Sequence, residues 1–241
     1  MTIYGQTDIG KKRQMNQDSF FNAQLTDNAV FSVVCDGMGG AMAGNVASQI
    51  AVDTIYDYVK KSYIDSMNEK AIENVLRSAV TTANINVYDE SQKNRDYSGM
   101  GTTAVVALVR NGIAHIAHVG DSRAYLISKD FITQITRDHS VVQSLVEGGH
   151  LTAEEARSHP KKNIITRAVG VTDDVIVDYN EVNIKDSSLL LCSDGLSGML
   201  TSKQILSVVN NCNKQDIIST LINLANDYGG EDNITVTLIT E

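Results

Sequence analysis

Thr102-Thr103-Ala104-Val105-Val106-Ala107-Leu108-Val109-Arg110-Asn111-Gly112-Ile113-Ala114-His115-Ile116-Ala117-His118-Val119 carries the reading that decides the fold. Two apolar runs rich in β-branched residues, Thr102–Val109 and Ile113–Val119, flank Arg110-Asn111-Gly112. An Asn-Gly pair between two such runs is a strong hairpin signal, so the two strands are antiparallel neighbours. Working outward, Ala29–Cys35, Ala124–Ile127, Val175–Ile184, Ser188–Cys192 and Ile234–Thr240 read as further strands. Helical stripes are equally legible. Val46, Ala47, Ile50, Ala51, Thr54, Ile55, Tyr58 and Val59 share one face, and Ile72, Val75, Leu76, Ala79, Val80 and Ala83 share another. Thr201 with Gln204 forms a capping box before Ile205–Val209, and Lys214–Asn226 reads as a final helix.

The order of these elements sets the class. Strands come in hairpin-like groups, and the two long N-terminal helices follow one another instead of alternating with strands. That favours an α+β layered domain over a doubly wound parallel sheet, with a sandwich of sheets carrying helix pairs on its outer faces. The chain has one proline, no Gly/Ser-rich tract and no charge block, so residues 1–241 are expected to form one domain.

Composition excludes several partners. Against 20 Lys and Arg stand 29 acidic residues, of which 20 are Asp and 9 are Glu, and the formal net charge is -9. A nucleic-acid binder needs a basic face, and docking on anionic lipid needs one too. The longest apolar runs, such as Ala104 to Val109, are too short to span a bilayer, and the start Met1-Thr2-Ile3-Tyr4-Gly5-Gln6 carries no apolar signal region. Cys35, Cys192 and Cys212 are an odd set and read as reduced thiols in a cytoplasmic protein.

The Asp surplus acquires meaning from its placement. Asp36-Gly37 ends the strand ahead of it, as does Asp194-Gly195; Asp121-Ser122 follows Val119-Gly120; Asp232-Asn233 precedes Ile234–Thr240; Asp18 precedes Ser19-Phe20-Phe21. Singly, each reads as an ordinary turn or strand-edge residue. Asp36-Gly37 and Asp194-Gly195 resist that reading, because neither leads into a returning strand; both run on towards a helix. Several carboxylates drawn to one end of a sandwich repel one another unless cations neutralise them, and oxygen-only ligands select Mg²⁺ or Mn²⁺ over zinc. A binuclear hard-metal site follows as the sharp hypothesis, with the Gly37 carbonyl as a further ligand. His115 and His118 point to opposite faces of one strand and read as ordinary sheet residues; no Cys pair has zinc spacing. The loop Asp36-Gly37-Met38-Gly39-Gly40 lacks the features of a phosphate loop or dinucleotide fingerprint. Ser193 has no nucleophile elbow around it and reads as structural, which leaves water as the nucleophile. Arg13 is the candidate to bind phosphate bidentately, although Lys11-Lys12-Arg13 alone reads as a solvated basic run.

Six segments in order carry a resemblance: Arg13-Gln14-Met15-Asn16-Gln17-Asp18, Asp36-Gly37-Met38-Gly39-Gly40, Gly99-Met100-Gly101-Thr102-Thr103, Val119-Gly120-Asp121-Ser122-Arg123, Cys192-Ser193-Asp194-Gly195 and Gly230-Glu231-Asp232-Asn233. Together they resemble the bacterial metal-dependent serine/threonine protein phosphatases of type 2C, over essentially the whole chain. The resemblance implies a four-layer α-β-β-α sandwich: two central antiparallel sheets, helix pairs outside, and a small helical flap at about 139–170. It implies two Mn²⁺ or Mg²⁺ ions, with Asp36 bridging both, the Gly37 carbonyl on one, and Asp194 and Asp232 on the other. Asp18 would act largely through coordinated water, and Asp121 could hold a third, weaker metal. Arg13 matches the phosphate-binding arginine; Arg13, Asp36 and Asp194 are the implied catalytic residues. The implied reaction is hydrolysis of phosphoserine and phosphothreonine in proteins by a metal-activated water. Phosphorylated proteins, substrates of a serine/threonine kinase, are the implied partners, and a monomer is expected.

The flap reads as two short helices, Ser140–Glu147 and one opened by a Thr152–Glu155 capping box, with Lys161 and Lys162 beyond. One departure stands out. Many bacterial relatives of this type carry a histidine where this chain has Ala41, and animal ones carry it where this chain has Met38. The general acid is then water, the expected choice, or His139 or His150. The same departure motivates an alternative, a phosphoprotein-binding pseudophosphatase with little turnover; a hydrolase for small phosphate esters is a weaker one.

Overall fold

The computed structural model of the chain describes residues 1–40 and 43–240. In chain order the elements begin with β1 (Thr2–Asp8), β2 (Asp18–Thr26), β3 (Ala29–Met38), α1 (Ala43–Ser62), α2 (Glu69–Lys93), β4 (Gly101–Thr102), β5 (Ala104–Arg110), β6 (Ile113–Val119) and β7 (Arg123–Ile127). They continue with β8 (Ile132–Gln134), α3 (Val141–Glu147), α4 (Ala153–Ser158), β9 (Asp178–Asn183), β10 (Ser188–Cys192), α5 (Asp194–Ser197), α6 (Ser202–Asn211), α7 (Ile217–Asp227) and β11 (Ile234–Thr240).

The β5–β6 hairpin forms at the Asn-Gly pair. Asn111 and Gly112 both take positive φ, 52° and 75°, which is what a two-residue turn matching the strand twist requires. Its register sets Arg110 opposite Ile113 and Ala104 opposite Val119. Around it grows one antiparallel sheet in the order β2-β3-β5-β6-β9, with β4 added on β3. A second antiparallel sheet runs β1-β11-β10-β7-β8.

Three apolar layers hold these sheets, and strand alternation sorts residues among them. Phe31, Val33, Cys35, Val106 and Leu108 face α1 and α2. Their neighbours Val30, Val34, Val105, Ala107 and Val109 meet Leu189, Leu191 and Ile239 between the sheets. On the far side Leu190, Val236 and Leu238 pack against α6 and α7 through Ile205, Leu221 and Ile222. Helices outside two antiparallel sheets make a four-layer α-β-β-α sandwich. Burial on both faces explains why the central strands read as continuous apolar runs.

Local chemistry fixes the helix starts. Asn68 caps α2 by accepting from the Ala71 N–H, Ser140 caps α3 by accepting from Gln143, and Thr152 and Thr201 form complete capping boxes on α4 and α6. The sequence misplaces several boundaries. The expected strand Thr102–Val109 breaks at Thr103, leaving β4 paired with β3 at Gly37 and Met38. The expected strand Val175–Ile184 forms only over Asp178–Asn183, and the last helix starts at Ile217 because 214–216 form a turn. Cys35, Cys192 and Cys212 are free thiols, the first two buried.

Among the polar contacts that bridge the sheets, one lies inside the apolar layer between them: Ser32 and Thr237 hydroxyls meet at 2.8 Å, both fully buried. Ser32→Ala strands the Thr237 hydroxyl without a partner and should cost about 1–3 kcal/mol in urea unfolding. The double variant Ser32→Ala/Thr237→Val removes both polar groups and should recover most of that loss; equal losses in the two variants would contradict the pairing.

Candidate active site

The five aspartates converge at one end of the sandwich by four routes. Asp18 opens β2 and lies opposite Asp36 in the β2–β3 register. Asp121 follows the end of β6, Asp194 opens α5 directly after β10, and Asp232 sits just before β11. Asp36 feels repulsion from Asp18, Asp194, Asp121 and Asp232, which places all five in one electrostatic neighbourhood.

Hydroxyls and backbone amides set the individual carboxylates. Asp18 Oδ2 accepts from Ser193 Oγ and Thr235 Oγ1, each at 2.7 Å, leaving its buried Oδ1 without a hydrogen-bond partner. Ser193 and Thr235 are themselves locked: the Thr235 N–H donates to Ser193 Oγ, and the Ser193 N–H donates to the Thr235 carbonyl. Thr103 Oγ1 accepts from the Asp36 N–H at 2.9 Å and meets the Ser122 hydroxyl at 2.7 Å. That contact ties the Asp36 turn to the Asp121 turn, and it explains the break at Thr103. The Asn233 N–H donates to Asp232 Oδ1, while the Asn233 side chain accepts from Gln17 N and donates to the carbonyls of Ile9 and Met15.

Both Asp-Gly pairs owe their glycine to a crossing backbone. A Cβ on Gly37 would lie 2.0 Å from the Gly44 carbonyl oxygen at the start of α1. A Cβ on Gly195 would lie 1.9 Å from the Asn233 carbonyl oxygen. Gly195 thus lets the turn carrying Asp232 close on α5, which carries Asp194. The glycines bring chain segments together and do not make reverse turns.

Burial and crowding push these acids up. Burial raises Asp18 to about 7, with repulsion from Asp194 and Asp232 added and the two hydroxyl hydrogen bonds opposing. Burial, then repulsion from Asp194 and Asp138, raises Asp121 to about 8. Burial and repulsion from Asp232 raise Asp194 to about 6, against a hydrogen bond with Asp36 and attraction to Arg123 and Arg13. Asp36 is raised by burial and by all four neighbours. Asp194 Oδ1, like Asp18 Oδ1, is buried without a hydrogen-bond partner. An all-oxygen set with orphaned oxygens and unrelieved repulsion fits hard divalent cations.

Arg13 is half exposed and donates to Asp232 Oδ2 at 2.7 Å. A cleft of about 420 Å³ runs from there beneath the flap helices, lined by Arg13, Asp121, Arg123, Asp194, Asp232 and Lys162 among others. Arg123 is bidentate to Asp138, and Arg157 of α4 donates to the carbonyls of Gly198 and Leu200, pinning the flap over the α5–α6 corner. Neither His139 nor His150 lines the cleft. His139 is buried and its ring is engaged elsewhere: Nδ1 accepts from the Gly120 N–H, and Nε2 faces Asp178 and Arg167. Met38 ends β3, and Ala41 lies outside the described residues. The sequence reading placed the aspartates and missed their supports. Thr103, Thr235 and Arg123 each neighbour a motif aspartate in sequence or in register, the only signal that could have found them.

The family model for protein phosphatase 2C matches residues 6–236. A serine/threonine phosphatase from Listeria monocytogenes is 39% identical over 238 residues, covering 97% of this chain and 93% of that protein. Protein phosphatase PhpP from Streptococcus pneumoniae is 38% identical over 235 residues, covering 97% and 94%. Among solved structures, the serine/threonine phosphatase Stp1 from Staphylococcus aureus superposes with a TM-score of 0.93 at 37% identity, covering 99% of this chain and 95% of that one. A Mycobacterium tuberculosis serine/threonine phosphatase gives a TM-score of 0.87 at 33% identity, covering 98% and 97%. Sequence, fold and the order of the motifs agree, and the chain belongs to the protein phosphatase 2C family of bacterial serine/threonine phosphatases.

Proposed function

We propose that this chain hydrolyses phosphoserine and phosphothreonine in proteins at a binuclear Mn²⁺ or Mg²⁺ centre built on the strand-end aspartates. The observation that carries the proposal is the crowding of five aspartates at one end of the sandwich, three of them lining the cleft and two, Asp18 and Asp194, with buried oxygens that no protein donor satisfies. Asp36 and the Gly37 carbonyl, with Asp194 and Asp232, would hold the two ions; Asp18 would reach them largely through water, and Asp121 would serve a third. When bound, such ions supply the Lewis-acid charge that makes water a competent nucleophile and neutralises a phosphate held across them.

The remaining work falls to the chain itself. Ser193 and Thr235 fix Asp18 so that Oδ1 alone is left for the centre, and Thr103 fixes the Asp36 backbone. Arg13, parked on Asp232 and half exposed, can swing its fork to the phosphate oxygens, where bidentate contact also orients the ester for in-line attack. No histidine faces the cleft, so water is left to protonate the departing serine or threonine oxygen. That loss bears hardest on alkyl leaving groups and spares aryl phosphates.

Purified protein should dephosphorylate a phosphothreonine peptide and para-nitrophenyl phosphate with Mn²⁺ or Mg²⁺ and lose both activities in chelator. Asp36→Asn and Asp194→Asn should each lower kcat/KM at least ~100-fold. Both should also raise the Tm of chelator-treated protein, because each removes a buried, repelled charge; a lowered Tm would contradict the crowding described above. Arg13→Ala should cost about 10–100-fold in kcat/KM on phosphopeptide, the worth of a lost charge-assisted contact, with Arg13→Lys recovering only part. Saturable phosphopeptide binding without turnover at any metal concentration would instead favour a binding protein. Gly195→Ala forces the Asn233 backbone away and should abolish metal-dependent activity even where circular dichroism shows a folded chain.

A further inference from the structure

At the far end of β6 from Asp121 lies a second polar cluster, which the phosphatase reading does not use. His115, the third residue of β6, is fully buried and register-paired with Glu181 of β9; Glu69, the first helical residue of α2, closes over it. One ligand atom from each of Glu69, His115 and Glu181 falls within 4.8 Å of the others, the one such group among the described residues. Asp121 is six residues further along the chain, roughly 20 Å in extended backbone, so this cluster is separate from the aspartate centre.

We propose that Glu69, His115 and Glu181 form a second metal site, selective for a transition ion of the Zn²⁺ type and not for Mg²⁺. Three observations carry it. His115 Nε2 is buried and has no hydrogen-bond partner, although Glu69 Oε2 lies 2.9 Å away; the contact lacks hydrogen-bond geometry. Two ligands at about 2.1 Å on one ion sit about 3.0 Å apart at right angles and about 3.4 Å apart at the tetrahedral angle, so a small opening of the Nε2–Oε2 gap seats such an ion. His115 Nδ1 is 2.7 Å from the Tyr179 hydroxyl, so a ring donating Nδ1–H there leaves the Nε2 lone pair free, the outer contact that usually orients a ligating imidazole. In that tautomer, Nε2 and Glu69 Oε2 are two acceptors in contact, an arrangement that a bound cation relieves.

Ligand type sets the selectivity. An imidazole nitrogen with two carboxylates suits Zn²⁺, Co²⁺ or Ni²⁺, whereas Mg²⁺ prefers oxygen alone. The half-exposed carboxylates leave the site open to solvent, which supplies an entry path and the remaining ligands. Bound there, the ion ties α2 to β6 and β9. Arg110 already grips the same corner, donating to the Asp65 and Met67 carbonyls and to Glu69 Oε1.

Zinc chloride titrated into the full chain by calorimetry tests this, with Asp36→Asn/Asp194→Asn present to disable the aspartate centre. One equivalent should remain in that variant and weaken more than 10-fold when Glu69→Gln/Glu181→Gln is added; both glutamates are surface residues, so the fold is retained. Zn²⁺ at 100 times its Kd should raise the Tm by about 5–10 °C, and Mg²⁺ should not. No bound equivalent with Glu69 and Glu181 intact, or an affinity unchanged by their removal, overturns the proposal.

Discussion

Repulsion among carboxylates buried at one end of the sandwich is the constraint on which the rest of this structure depends. Left to themselves, these acids would separate or protonate, and the pKa values of Asp18, Asp36, Asp121 and Asp194, raised first by burial and then by their neighbours' charge, record that strain. The fold holds them by means that do not involve the carboxylates' own charge. The apolar layers on both sides of each sheet fix the strand ends. The Gly37–Gly44 and Gly195–Asn233 crossings fix the backbones around them. Hydroxyls from Ser193 and Thr235 then set the rotation of the Asp18 carboxylate, and the Thr103 hydroxyl fixes the Asp36 backbone. A site arranged this way stores electrostatic work that bound cations, as proposed, would release, which would set stability against activity at these positions.

The fold was legible where local signals were strong. The Asn111-Gly112 turn, the two long helical stripes and the capping residues Thr152 and Thr201 all appear in the structure where the sequence placed them. Legibility failed where tertiary pairing overrides local pattern. β1 is a half-exposed edge strand whose alternation is diluted by Gly5 and Gln6, and it exists because β11 pairs with it along seven residues. α5 has four residues, too few for any period to show, and it is held by Gly195 packing under Asn233.

The site was legible as a list of acids and not as a machine. Strand-end placement singled out the five aspartates only as a set, because each alone reads as an ordinary turn or strand-edge residue. Nothing in a single sequence ties Ser193 to Asp18, 175 positions away, and Ser193 read as structural for want of a nucleophile motif. The structural role is the finding, and it is a role at the site. His139 shows the opposite case: a histidine beside the flap invited a chemical reading, yet its ring is spent holding the Gly120 backbone and, through it, the Asp121 turn. His115 was set aside because His118 points to the other face, an argument that holds for histidine pairs and is blind to carboxylates arriving from α2 and β9.

Net charge fares worst as a guide to partners. On net charge alone, a chain at -9 is expected to repel a phosphoprotein. The cleft mixes both signs: Arg13, Arg123, Arg157 and Lys162 line it beside Asp121, Asp138, Asp194, Glu231 and Asp232. Arg123 is committed to Asp138, and Arg157 is anchored to the carbonyls of Gly198 and Leu200, so neither is free to leave with a ligand. Arg13 is different, since its one partner, Asp232, belongs to the acidic cluster itself. Under the proposed function, cations held by that cluster would weaken Asp232's claim on Arg13, and a phosphate in the cleft would compete for the same guanidinium. Screening limits the remote surplus to about a Debye length, so the charge a phosphate meets in the cleft is decided by the local contest between Asp232 and the phosphate for Arg13 and not by the net -9.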